Sequence, residues 1–208
     1  MRLAIFGGSF DPPHVGHLLA ADDAYERLSL DRLVFVPTAT QPLKVGGAVA
    51  SADQRLAMVR LLVEGDARFE VSAVEVERAG LSFTVDTLTH FAQLNPAAER
   101  FLLLGADVLA LFGQWKEPER ILRLARLVLL ERQSDERVTA LPALPALPAL
   151  PALPALPALE AAGLMRLPTR RVDVSSTEIR ERVRLGKSIR GLVTESVAAY
   201  IARDGLYR

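Results

Sequence analysis

Short apolar runs alternate with helix-period stripes along most of this chain, and that alternation restricts its fold more than any other feature. Leu3–Phe6 is an apolar run ending at Gly7-Gly8, and Leu18, Ala21, Tyr25 and Leu28 then mark one face of a helix. Leu33–Val36 is a second run, stopped by Pro37, and Leu56, Val59 and Val63 stripe a helix over about 52–64. Phe69–Val76 alternates apolar and polar residues, as a strand does. Thr84–Leu94 reads as a helix, and Phe101–Leu104 and Leu127–Leu130 as buried strands around a helical 117–124. A strand near 170–174 and helices at about 176–185 and 194–203 follow, with Gly205 placed to end the last one. The pattern predicts an α/β fold: a Rossmann-like doubly wound parallel sheet with helices on both faces and a small C-terminal helical part. In such sheets ligands bind beyond the carboxyl ends of the strands.

One segment breaks the alternation. From Ala140 the chain repeats Ala-Leu-Pro, with prolines at 142, 145, 148, 151, 154 and 157. That spacing opposes helix and central strand alike and suits polyproline II, with one leucine per turn forming an apolar ridge. The tract at 140–159 is expected to be a spacer or surface loop within a single domain over 1–208; docking of the ridge on a partner stays open, as does homo-oligomer formation.

Half of the 208 residues are hydrophobic and 24% are charged, which excludes a wholly disordered chain. No apolar run reaches the roughly 18 residues of a membrane span, and the first apolar run is too short for a signal-peptide core. The absence of cysteine excludes disulfides and thiolate metal sites and fits a cytoplasmic protein. Lys+Arg and Asp+Glu balance at 25 each, so neither a nucleic acid nor a membrane is expected as partner. Residues 166–190 nevertheless hold eight basic and three acidic side chains. A local basic segment suits a small anion, and it also describes a solvated helix face.

The residues that carry chemistry follow the first strand: Gly7-Gly8-Ser9-Phe10-Asp11-Pro12-Pro13-His14-Val15-Gly16-His17. Two glycines let the backbone turn and approach a ligand. Pro12 and Pro13 lead into a helix start. His14 and His17 are three apart, on one side of its first turn, with Gly16 keeping the surface between them low. Two imidazoles at the positive end of a helix describe a phosphate site. Zinc would need three or four ligands, and the third histidine, His90, falls in an ordinary helix, so no metal site is expected. Far down the chain stands Val174-Ser175-Ser176-Thr177-Glu178-Ile179-Arg180. Alone, Ser175 with Glu178 is a capping box. Its hydroxyls, free amides and Arg180 could also hold a triphosphate.

The first motif resembles the (H/T)-x-G-H signature of the nucleotidyltransferase superfamily, and the second its Ile-Ser-Ser-Thr-x-Ile-Arg motif, with Val174 for the first isoleucine. Both in this order resemble the bacterial nicotinate-mononucleotide adenylyltransferases, from Arg2 to Arg208 apart from the proline tract. The resemblance implies adenylyl transfer from ATP to nicotinate mononucleotide, with magnesium bridging the triphosphate. It implies ATP binding by Gly7, Gly8, Ser9, Phe10, Gly105, Asp107, Ser175, Ser176 and Thr177, and catalysis by His14, His17, Lys44 and Arg180. Thr84, Trp115 and Lys116 would receive the nicotinate nucleotide, the amide of Thr84 taking the carboxylate and Trp115 stacking on the ring. Arg55 matches an arginine near the phosphates. One departure stands out: in Pro37-Thr38-Ala39-Thr40-Gln41-Pro42-Leu43-Lys44 the family's asparagine and histidine are replaced by Thr38 and Leu43, leaving Lys44 alone for phosphate. Two alternatives remain: another transferase of the superfamily, such as phosphopantetheine adenylyltransferase, and a nucleotide-binding regulator without turnover.

Overall fold

A computed structural model describes residues 1–42, 47–109, 111–132, 156–161 and 163–208. Six parallel strands form one sheet: β1 (Arg2–Gly8), β2 (Arg32–Pro37), β3 (Phe69–Val71), β4 (Glu99–Gly105), β5 (Arg126–Arg132) and β6 (Met165–Thr169). Their order is β3-β2-β1-β4-β5-β6. The expected doubly wound α/β architecture is therefore present, and the order reverses between β1 and β4, where ligands of such sheets bind.

Strand alternation divides the interior in two. Ala4, Phe6, Leu33, Phe35, Phe101 and Leu103 pack on one face, under α1 (Val15–Arg27), α2 (Ala52–Leu62), α8 (Ser176–Arg184) and α9 (Glu195–Arg203). Leu3, Ile5, Val34, Val36, Leu102 and Leu104 pack on the other, under α4 (Thr84–Leu94) and α6 (Pro118–Leu124). Both sets are buried, so the central strands read as unbroken apolar runs. The last helix ends as expected, with Gly205 at a φ of +62° beyond it.

Three local expectations are corrected. The predicted strand over Phe69–Val76 stops at Val71, and the chain turns into a short helix, α3 (Val74–Arg78). Apolar–polar alternation suggested a strand there, but the helix instead turns Glu75 inward, leaving it 5% exposed. The strand near 170–174 lies earlier, at Met165–Thr169. The amide of Arg170 donates to Asp23 Oδ2 at 2.7 Å rather than to the ladder, and Pro168 is tolerated because β6 is an edge strand. The end of the Ala-Leu-Pro tract is helical, at α7 (Leu156–Ala161), because its last proline, Pro157, falls in the first turn. The rest of the tract lies outside the described residues.

Candidate active site

The site begins where β1 ends. Phe10 takes a φ of +50°, which tucks its ring edge-on to Phe6 (centroids 5.8 Å apart) and to His17 (5.0 Å). A Cβ on Gly8 would stand 3.0 Å from the Phe10 ring, so glycine permits this tuck. The Asp11–Pro12 peptide is cis. His14 then caps α1, and His17 sits three residues on, with the ring centroids 3.8 Å apart. His17 Nδ1 accepts the backbone N–H of His14 at 3.2 Å, so a neutral His17 keeps its proton on Nε2 as a donor. A Cβ on Gly16 would lie 3.0 Å from Val174 Cγ1 and 3.1 Å from the His14 ring. The low surface expected at Gly16 thus has a structural reason: it seats His14 and the lead-in to the second motif together.

The second motif meets the first directly. Ser176 Oγ donates to Pro12 O at 2.8 Å, and Arg180 Nη1 donates to Asp11 O at 2.6 Å. Ser175 caps α8, its Oγ accepting the Glu178 amide at 3.1 Å. Segments more than 160 residues apart in sequence therefore close on one place.

Two adjoining cavities open at the carboxyl edge of the sheet. One lies on the α1–α8 face and is lined by Gly7, Gly8, Phe10, His14, His17, Gly105, Asp107, Ser175 and Ser176. Most of the residues expected to meet ATP are thus brought together. The other lies on the α4 face and is lined by Thr84, Trp115 and Lys116, the three expected for the nicotinate nucleotide, with Glu75 and Ser82. Gly7, Gly8, Leu104 and Val108 line both. Phe83 supplies no side-chain cap to α4, which leaves the first amides of that helix open to an anion. Trp115 packs on Phe112 at 5.4 Å, and Lys116 pairs with Asp86 at 3.3 Å.

Several expected residues stand elsewhere. Ser9 lines a third hollow on the far side of the 38–41 loop and donates to Gln41 Oε1 at 3.0 Å. Thr177 and Arg180 are not among the residues lining the α1–α8 cavity, and Arg180 Nη2 donates to Thr177 Oγ1 at 3.2 Å. Arg55 is a correction. It is 1% exposed and donates to Ala50 O, Ser9 O and Ala39 O at 3.2, 2.8 and 2.9 Å. It braces the loops from within, and burial lowers its pKa, partly offset by Asp11, Tyr207 and Glu75. Leu43 and Lys44 lie outside the described residues.

The basic segment is mostly neutralised at home. Arg166 pairs with Glu131 and Glu160, Arg171 with Asp173, and Arg184 with Glu181. Of its cations, Arg170 lines the α1–α8 cavity, fixed by Asp23 at 2.9 Å. Sequence reasoning missed this role because nothing in the run distinguishes Arg170 from its neighbours. It also missed Asp11, 2% exposed, whose carboxylate accepts from Val49 N (2.7 Å), Ala50 N (3.1 Å) and Tyr207 Oη (2.7 Å). Burial and this bond to Asp11 raise the Tyr207 hydroxyl well above the ordinary tyrosine range.

Comparison with known proteins identifies the family. The chain matches the cytidylyltransferase-like family over residues 5–182 and belongs to it, and it is a nucleotidyltransferase. A probable nicotinate-nucleotide adenylyltransferase of Gemmatimonas aurantiaca is 49% identical over 208 residues, covering 100% of this chain and 93% of that one. A counterpart of the same name in Thermus thermophilus is 44% identical over 210 residues, covering 100% of both. The fold is shared with Plasmodium falciparum nicotinic acid mononucleotide adenylyltransferase, solved in complex with NaAD, at a TM-score of 0.73 and 17% identity over 99% of this chain and 97% of that one. Among the described residues no helix is long and apolar enough to cross a membrane.

Proposed function

We propose that this chain transfers the adenylyl group of ATP to nicotinate mononucleotide, giving nicotinate adenine dinucleotide and pyrophosphate. The observation that carries the reading is the pair of cavities meeting at Gly7-Gly8, one bearing imidazoles and hydroxyls and the other an indole. A dinucleotide product would span that junction, its pyrophosphate beside the glycines. Small-molecule nucleotides are the partners of this reading, and a cytoplasmic location goes with an ATP-dependent reaction and a cysteine-free chain.

The acceptor's phosphate monoester has its second pKa near about 6, so at neutral pH it is already largely a dianionic nucleophile. No general base is required. The work left to the chain is alignment of that phosphate with the α-phosphorus and neutralisation of developing charge. His17 Nε2–H and His14 would donate to the transferring and leaving phosphates. Ser175, Ser176 and the first amides of α8 would cradle the triphosphate. Arg180 spends bonds on Asp11 O and Thr177, so its part is first to hold the motif and then to reach the leaving pyrophosphate with its remaining N–H groups. Lys44 would serve the same group. Magnesium would supply charge neutralisation on the triphosphate. Among the described residues no group of three acidic or histidine side chains could hold it, and Asp107 is the one carboxylate lining that cavity. The ion would therefore be held largely by phosphate oxygens and water.

The test is pyrophosphate release from ATP and magnesium with nicotinate mononucleotide, nicotinamide mononucleotide or phosphopantetheine as acceptor. The highest kcat/KM is expected with the first. Faster turnover with phosphopantetheine, or no release with any acceptor, would overturn the reading.

A further inference from the structure

One buried titratable group lines the ring-side cavity without a place in the chemistry above. Glu75, in the first turn of α3, is 5% exposed. Its Oε1 accepts the Thr87 hydroxyl at 2.6 Å. Its Oε2 is buried with no hydrogen bond of good geometry, although the Ser82 hydroxyl is near enough to favour the charged form. The same cavity wall carries Thr84 and Trp115. A buried carboxyl group thus lines the pocket proposed for the acceptor's ring, its second oxygen covered by the protein.

A second carboxylate brought into this pocket meets a like charge in poorly solvated surroundings. Two such groups do not both stay ionised; one takes up a proton. Three cations stand near this wall, each held in place by other partners, and only Lys116 is paired with a carboxylate. Arg78, on the same helix, reaches the Thr87 hydroxyl at 3.4 Å. Arg55, from α2, is spent on three carbonyl oxygens. Lys116, at the cavity wall, is paired with Asp86 of α4. Burial already disfavours the charged form of Glu75, against the bonds from Thr87 and Ser82 and the two arginines.

We propose that Glu75 is a specificity-determining residue that takes up a proton when an acceptor bearing a ring carboxylate binds beside it. The proton is drawn from solvent and returns when the product leaves. An amide acceptor brings no second charge and binds without uptake. The inference rests on the function proposed above. Acid acceptors should accordingly bind more weakly as pH rises, whereas amide acceptors should not.

Isothermal titration of the full chain with nicotinate mononucleotide, repeated in buffers of different ionisation enthalpy, reads the uptake directly. Uptake of up to about one proton per bound ligand is expected from a single group, and none with nicotinamide mononucleotide. Glu75→Gln, which keeps a carbonyl for Thr87 and an N–H where the proton would be, should abolish the uptake and flatten the pH dependence of KM for the acid. Equal uptake with acid and amide, no uptake by the wild-type chain, or undiminished uptake by the variant would each overturn the proposal. Binding of the acid without uptake defeats only this inference. Failure of both mononucleotides to bind defeats the function on which it rests.

Discussion

The two cavities share four wall residues yet differ in the chemistry they present. The ATP-side cavity is assembled from distant chain segments, its imidazoles and hydroxyls fixed by hydrogen bonds such as His14 N–His17 Nδ1, Ser176 Oγ–Pro12 O and Arg170–Asp23. The ring-side cavity sets aromatic and helix-start surface from residues 82–87 and 111–116 against strand and loop residues of 5–8, 36–42 and 102–108, with one carboxyl group at its wall. Charge that develops during reaction must be met by donors already in place. A flat ring needs only area and the exclusion of water. Damage on the first side should therefore appear in turnover, and damage on the second in binding and selectivity.

The severest test of that division is His17→Ala. It removes the Nε2 donor and the acceptor that steadies the His14 amide. Losing one oriented charge-stabilising donor costs on the order of 100-fold or more in rate, so kcat should fall at least that far. KM for nicotinate mononucleotide should move little. Steady-state kinetics with both substrates varied checks this, and near-normal kcat would remove His17 from the phosphate side.

Trp115→Ala probes the other wall. Ring stacking on an aromatic side chain is worth about 1–3 kcal/mol, so KM for the mononucleotide should rise by roughly 10-fold, to within the spread of that range. Turnover at saturation should stay within about 3-fold, since no donor to a phosphate is lost. A large fall in kcat with unchanged KM would place the indole on the wrong side of the comparison.

The division also explains what could be read in advance. The central strands were legible because burial on both faces leaves unbroken apolar runs, and the two motifs because their residues carry unusual demands: glycine at close approach, paired imidazoles, hydroxyls at a cap. Other features, besides Arg170, were not legible. Glu75 lies in an alternating stretch that reads as a strand, and only the turn after Val71 points it inward. Arg55 looks like a phosphate ligand by position, yet its geometry aims every bond at backbone carbonyls. Asp11 sits inside the quoted motif, but its partners Val49, Ala50 and Tyr207 are 38, 39 and 196 residues away. Local pattern announces a residue's chemistry; the residue's partners are set by topology.

The finest cut compares two neighbours on the ATP side. Ser175→Ala removes a cap whose Oγ accepts the Glu178 amide, and losing an N-cap costs about 1 kcal/mol of stability. Ser176→Ala removes the hydroxyl bond to Pro12 O, which ties α8 to the histidine motif. A neutral hydrogen bond is also worth about 1 kcal/mol, so the two variants should melt at nearly the same temperature. They should differ in kinetics. The cap variant keeps the strap between the motifs, and its kcat should fall only a few-fold. The strap variant lets the helix start drift from His14 and His17, and misplacement of about 1 Å can cost on the order of 100-fold. Neither should shift KM for nicotinate mononucleotide, because the ring-side wall takes nothing from α8. Matched melting curves with unequal kcat would show that alignment, and not mere folding, is what the second motif supplies; equal kcat would mean that the strap has no part in positioning.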